Sequence, residues 1–111
     1  MSLSEHLPLA PRDLLILSAL ADGALHGYGI IRSVAEGSDV LLDPGNLYRA
    51  LRRMKSAGWV TESESDTGEE NRRVYSLSGL GEEILRAEVV RLQALLRRVR
   101  SSAVLVPKEA R

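Results

Sequence analysis

An apolar stripe near the C-terminus constrains this chain more than any other feature. Leu85, Val89, Leu92, Leu96, Val99 and Ala103 step by four and three, with Ile84 and Leu95 beside them. That spacing puts them on one face of a helix, predicted over about Leu80–Ser102. Arg86, Arg91, Arg97, Arg98 and Arg100 occupy much of the remaining surface. Such a helix makes about six turns. A chain of 111 residues hides only about two-thirds of the surface it exposes when unfolded. The preceding residues can therefore cover part of the stripe and no more. Apolar area removed from water is worth about 25 cal/mol per Å², and the simplest cover is a second copy in a two-fold dimer. A fold-back of the helix onto its own chain is the alternative.

Upstream, the periodicity predicts three short helices and a hairpin. The first helix begins near Pro11 or Arg12, since proline suits the first turn. Leu14, Leu17, Leu20 and Ala21 share a face, and Asp22-Gly23 ends it. A turn, Ala24-Leu25-His26-Gly27, leads into a second helix near Tyr28 to Ala35, broken by Gly37-Ser38-Asp39. Gly27 is assigned to the tight turn. Val40-Leu41-Leu42 fits a short strand. Asp43 is a good N-cap and Pro44 a good first residue for a third helix running to about Ala57, stopped by Gly58. Leu47, Ala50, Leu51 and Met54 form one face of it. Gly45, Arg49, Arg52, Arg53 and Ser56 form the other.

The period then changes to two. Trp59 to Glu64 reads as a strand, Ser65 to Asn71 as a polar tip around Gly68, and Arg72 to Leu77 as the returning strand. Ser78 caps the last helix, although Gly81 stands where a capping box wants Glu. Three helices followed by a hairpin is the order of a winged helix-turn-helix, in which the third helix enters the major groove. The expected class is mainly α with a small β-hairpin. Residues 1–78 form the winged helix-turn-helix, and residues 79–111 the dimerisation helix with a short tail.

Zero net charge hides an uneven distribution. Residues 1–43 carry two basic and six acidic side chains, whereas residues 44–58 carry Arg49, Arg52, Arg53 and Lys55 with no acid. Any polyanion surface must therefore be local. Arginine forks can reach guanine edges or clamp phosphates. Asn46 and Arg49, early in the third helix, are assigned to base edges, and Arg52, Arg53 and Lys55 to phosphates. Gly45 allows close approach of the helix N-terminus to a phosphate. Tyr48, at the edge of the apolar face, suits ring packing with its hydroxyl toward a phosphate. Tyr28 and Arg32 are candidates for backbone contact. Arg72 is ranked above Arg73, because alternation turns Arg73 toward the side of Tyr75 and Leu77. Glu62, Glu64, Asp66, Glu69 and Glu70 make the wing acidic, which favours a solvated tip.

The residues also carry a family resemblance. The run Leu17 to Tyr28, the run Leu42 to Leu51, Ala57-Gly58-Trp59-Val60, and Arg72 to Ser78 with Gly81 together resemble PadR-like transcriptional regulators over about residues 12–86. The resemblance implies a repressor that dimerises through its last helix and binds operator DNA, with a small-molecule response in some members. Two departures are the acidic wing and the lack of an aromatic residue in the last helix. A two-fold dimer would set two recognition helices about 34 Å apart on a palindromic operator. A hydrophobic effector among Leu92, Leu96 and Val99 would change the dimer angle. A dry packed interface there is the plain alternative.

Other classes fit less well. There is no cysteine, no Ser-His-Asp order, no phosphate loop and no paired carboxylates in a pocket, so no enzyme is expected. No cofactor is implied. His26 lacks a metal-binding partner, since the second histidine is His6. No apolar run approaches the roughly 20 residues of a membrane span, no secretory leader is evident, and a cytoplasmic location is expected. The rival reading is a winged-helix module that binds protein and not DNA, which neutral charge and an acidic wing favour. A third is a small-molecule sensor acting through a protein partner.

Overall fold

The computed structural model describes residues 2–64 and 73–105. A 3₁₀ turn (Leu3–His6) precedes α1 (Pro11–Ala19), β1 (Leu25–His26), α2 (Gly27–Ser38), α3 (Pro44–Ser56), β2 (Val60–Glu64), β3 (Arg73–Leu77) and α4 (Gly79–Arg100). The helix starts follow their local signals. Asp43 accepts the Asn46 N–H at 3.0 Å, and Pro44 occupies the first turn of α3. Ser78 accepts the Gly81 N–H at 3.0 Å to open α4. Gly58 ends the α3 region at φ 83°, a conformation glycine adopts without strain.

Ile16 and Leu17 of α1, Ile30 of α2, Leu47, Leu51 and Met54 of α3, and Ile84 of α4 are fully buried in one core. β2 and β3 pair antiparallel, from Val60 opposite Leu77 to Glu64 opposite Arg73. This is the winged helix-turn-helix order read from the periodicity. The hairpin tip, with Gly68, Asp66, Glu69, Glu70 and the candidate Arg72, lies outside the described residues.

Four local expectations are corrected. Leu25 and His26, read as a turn, form a third strand opposite Tyr75 and Val74, giving the sheet order β1-β3-β2. Two residues make a strand only because the β3 edge supplies partners. Val40-Leu41-Leu42 is not a strand. Leu42 is buried, whereas Leu41 is exposed. The second helix extends through Ser38, and Asp39, at φ 60°, closes it in the left-handed conformation. The inner face of α1 is Asp13, Ile16 and Leu17, with Leu20 buried directly after it, while Leu14 is half-buried and Ala21 exposed.

The first half of α4 belongs to the core. Ile84 is fully buried, with Leu80 and Leu85 partly buried against the same cluster. Glu88, 1% exposed, accepts the Leu9 N–H at 2.8 Å and binds Arg91 through both carboxylate oxygens. That carboxylate ties the N-terminal segment to α4. Arg91 beside it and the Leu9 amide hold it below the usual carboxylate range, against the opposing effect of burial.

Candidate nucleic-acid interface

α3 divides along its length as its sequence pattern requires. Leu47, Ala50, Leu51 and Met54 are buried, and Gly45, Arg49, Arg52, Arg53, Lys55 and Ser56 are exposed. One helix therefore presents four cations on the surface opposite its anchor. The Arg49 guanidinium donates to the Asn46 side-chain oxygen, so the two residues assigned to base edges form one unit at the start of the helix. Arg52 makes no ion pair among the described residues and lines a cavity of about 200 Å³ with Tyr48, Leu51, Lys55, Glu62 and Tyr75.

The other basic residues are partnered. Arg53 donates to Asp13 at 2.7 Å, which raises the guanidinium pKa further. Lys55 donates to Glu62 at 3.1 Å, and Arg73 donates to the same oxygen at 3.2 Å. Lys55 chiefly, with Tyr75 and Arg73, holds the Glu62 carboxyl below its ordinary range. Burial, then the bond to Glu62, pushes the Tyr75 phenol up to about 12. The basic cluster has no acid in its own segment, yet Asp13 and Glu62 reach it in space. That corrects the sequence-level view of the cluster as free of acidic neighbours. Both carboxylates left a trace in the sequence. Asp13 lies three and four residues before Ile16 and Leu17, on the inward face of α1, and Glu62 shares the inward register of Val60.

Tyr48 combines packing and exposure. Its hydroxyl lies where a Cβ on Gly27 would be, so the ring rests on the first residue of α2 while 44% of the residue stays accessible. Gly27 therefore serves close approach. Its φ lies outside the left-handed region, which corrects its assignment to turn freedom. Tyr28 is largely exposed, and Arg32 pairs with Glu36 at 3.5 Å one turn along α2. The His26 side chain forms no cap, and its Nε2 is buried without a partner among the described residues.

Along α4 the candidate interface residues divide. Leu85 and Leu92 are half-buried, whereas Val89, Leu96 and Val99 are 42%, 48% and 39% exposed and Ala103 is exposed. Among the described residues no helix is long and apolar enough to cross a membrane, and no group of three metal-ligating side chains comes together.

Residues 16–87 match the Transcriptional regulator PadR-like family. This chain belongs to that family. PadR-like proteins are transcriptional regulators, not enzymes. A PadR family transcription regulator from Clostridium difficile superposes with a TM-score of 0.69 at 29% identity, over 79% of this chain and 92% of that one. Bacillus subtilis PadR, solved in complex with operator DNA, superposes with a TM-score of 0.66 at 23% identity, over 75% of this chain and 48% of that one. The latter likeness is one of fold. An uncharacterized 37.1 kDa protein in a transposon of Streptomyces fradiae is 38% identical over 92 residues. This PadR-like chain spans 26% of that relative's length.

Proposed function

We propose that the chain is a homodimeric repressor that binds a palindromic DNA operator, with α3 of each protomer in the major groove. The observation that carries the reading is the outward face of α3, where Asn46, Arg49 and Arg52 stand opposite a fully anchored apolar face. In the proposal, residues 1–78 contact DNA and residues 79–111 hold the dimer together. Arg53, Lys55, Tyr28, Tyr48, Arg32, Arg72 and Arg73 would contact the flanking phosphates. The half-exposed stripe of Val89, Leu96 and Val99 supports a second copy as the partner of α4. That Bacillus subtilis PadR was solved on operator DNA supports the choice of ligand. A cytoplasmic location follows from the reading, because the operator is there.

Repression would be relieved by a change in the dimer angle, which separates the recognition helices and prevents both from docking at once. A hydrophobic effector among Leu92, Leu96 and Val99 of the two protomers is the occupant that would cause it.

The rival, a winged-helix module that binds protein alone, draws on the partnering of Arg53, Lys55 and Arg73 by carboxylates. Fluorescence anisotropy against the DNA upstream of the chain's own gene, at several salt concentrations, separates the two. The regulator reading expects tight binding that weakens steeply with salt. Arg49→Ala with Arg52→Ala should then lose at least about tenfold in affinity, as expected for arginines on base edges and phosphates. Binding that ignores both salt and the double substitution would favour the protein module.

A further inference from the structure

The basic face of α3 does not end at α3. Arg49 and Arg53 line a cleft of about 390 Å³ whose opposite wall is Ala10, Arg12 and Asp13, at the start of α1. Arg12 is exposed and makes no ion pair or hydrogen bond among the described residues. Asp13 is the one carboxylate in the lining. Its side chain is 9% exposed, and its Oδ1 accepts from Arg53 at 2.7 Å. Its charge is thus spent on Arg53, and its effect is to fix that guanidinium at the cleft. Three arginines against one paired carboxylate leave a surplus of positive charge, more than one phosphodiester neutralises. α1 also begins in this wall without a side-chain cap from Ala10. The Arg12 and Asp13 amides therefore have no acceptor within their own helix.

We infer that the α1–α3 cleft is a clamp for one DNA backbone phosphate, gripped by Arg12 and by Arg53 held in place by Asp13. The inference rests on the DNA-binding reading and adds a second helix to the contact surface. A phosphate gripped there anchors the flank of α3, so that Asn46 and Arg49 meet the bases in one register. Such a contact positions the protein and carries no sequence information.

The probe is a random-sequence 30-base-pair duplex, titrated by fluorescence anisotropy from low to moderate salt against the full chain. Losing one of the two cations on that phosphate lowers the slope of log affinity on log salt by up to about 0.9 and weakens binding up to about eightfold at 0.1 M salt. Arg12→Ala should show both changes, and Arg12→Lys should restore the slope. Thermal melting of Arg12→Ala should match the parent, since that side chain holds nothing in the fold. An unchanged slope and affinity in Arg12→Ala, while Arg49→Ala with Arg52→Ala still weakens binding, would overturn the clamp and leave the regulator reading standing. A parent chain without salt-dependent duplex binding would overturn both.

Discussion

Two glycines lie under close contacts that differ in what would have to move. A Cβ on Gly81 would fall 2.0 Å from the Trp59 carbonyl oxygen. That oxygen is main chain beside β2 and already accepts the Ser78 N–H at 3.0 Å. Neither α4 nor the hairpin can withdraw without losing packing around Ile84, so Gly81→Ala should cost about 3 kcal/mol or more. This also accounts for a glycine where a capping box would place Glu. At Gly27 the obstacle is the Tyr48 hydroxyl, 2.2 Å from the added carbon. Tyr48 is half exposed and can swing outward, so Gly27→Ala should cost about 1 kcal/mol while displacing a side chain from the proposed DNA face. Urea midpoints check the ranking. Equal losses in the two variants would mean that the Tyr48 ring is as fixed as main chain.

Between elements, the Glu62 carboxylate joins α3 to the hairpin through Lys55 on one side and Arg73 on the other, as the Glu88 carboxylate joins α4 to the N-terminal segment. Both carboxylates are held below their ordinary value of 4.5. The folded chain therefore takes up these protons less readily than the unfolded chain. Their stabilisation is complete above pH 4.5 and is lost as the pH falls below it, through the lowered folded values. Urea midpoints measured from about pH 6 to pH 3 should drop, and Glu62→Gln should flatten part of the drop. The same substitution releases Lys55 and Arg73, so its affinity for random duplex should rise at low salt. The two carboxylates also mark where sequence reading ran out. The caps Asp43 and Ser78, the buried face of α3 and the β2–β3 alternation are written within a few residues of where they act, and they were legible. β1 needs the edge of β3, about 50 residues away, and Asp13 meets Arg53 across a separation of 40 residues. Asp13 and Glu62 show only their inward register in the sequence, and which cation each one meets depends on how the elements pack, so the outward arginines were readable as a set while those pairings were not.

At the scale of the whole molecule, shape and exposed apolar surface point the same way. A globular chain of this length has a radius of gyration of about 13 Å, whereas this one has 16.7 Å and extends 61 × 34 × 22 Å. The excess is consistent with a 22-residue α4 whose first turns join the core and whose remainder, from Val89 on, carries Val89, Leu96 and Val99 half exposed. A lone protomer would leave that stripe partly in water, where each of these half-exposed side chains forgoes about 1 kcal/mol of burial, a fraction of the roughly 1.5–3 kcal/mol for a fully buried one. Partial exposure in the single chain means that a charge placed there should spare the protomer fold and disrupt only the proposed assembly. Sedimentation equilibrium should therefore give twice the 12.2 kDa chain mass for the parent, and the chain mass for Leu96→Glu with Val99→Glu. The double variant should keep its helical circular dichroism. On operator DNA it should lose far more affinity than on a single half-site, because the second recognition helix no longer arrives with the first. A double variant that still sediments as a dimer would move the interface away from this face of α4.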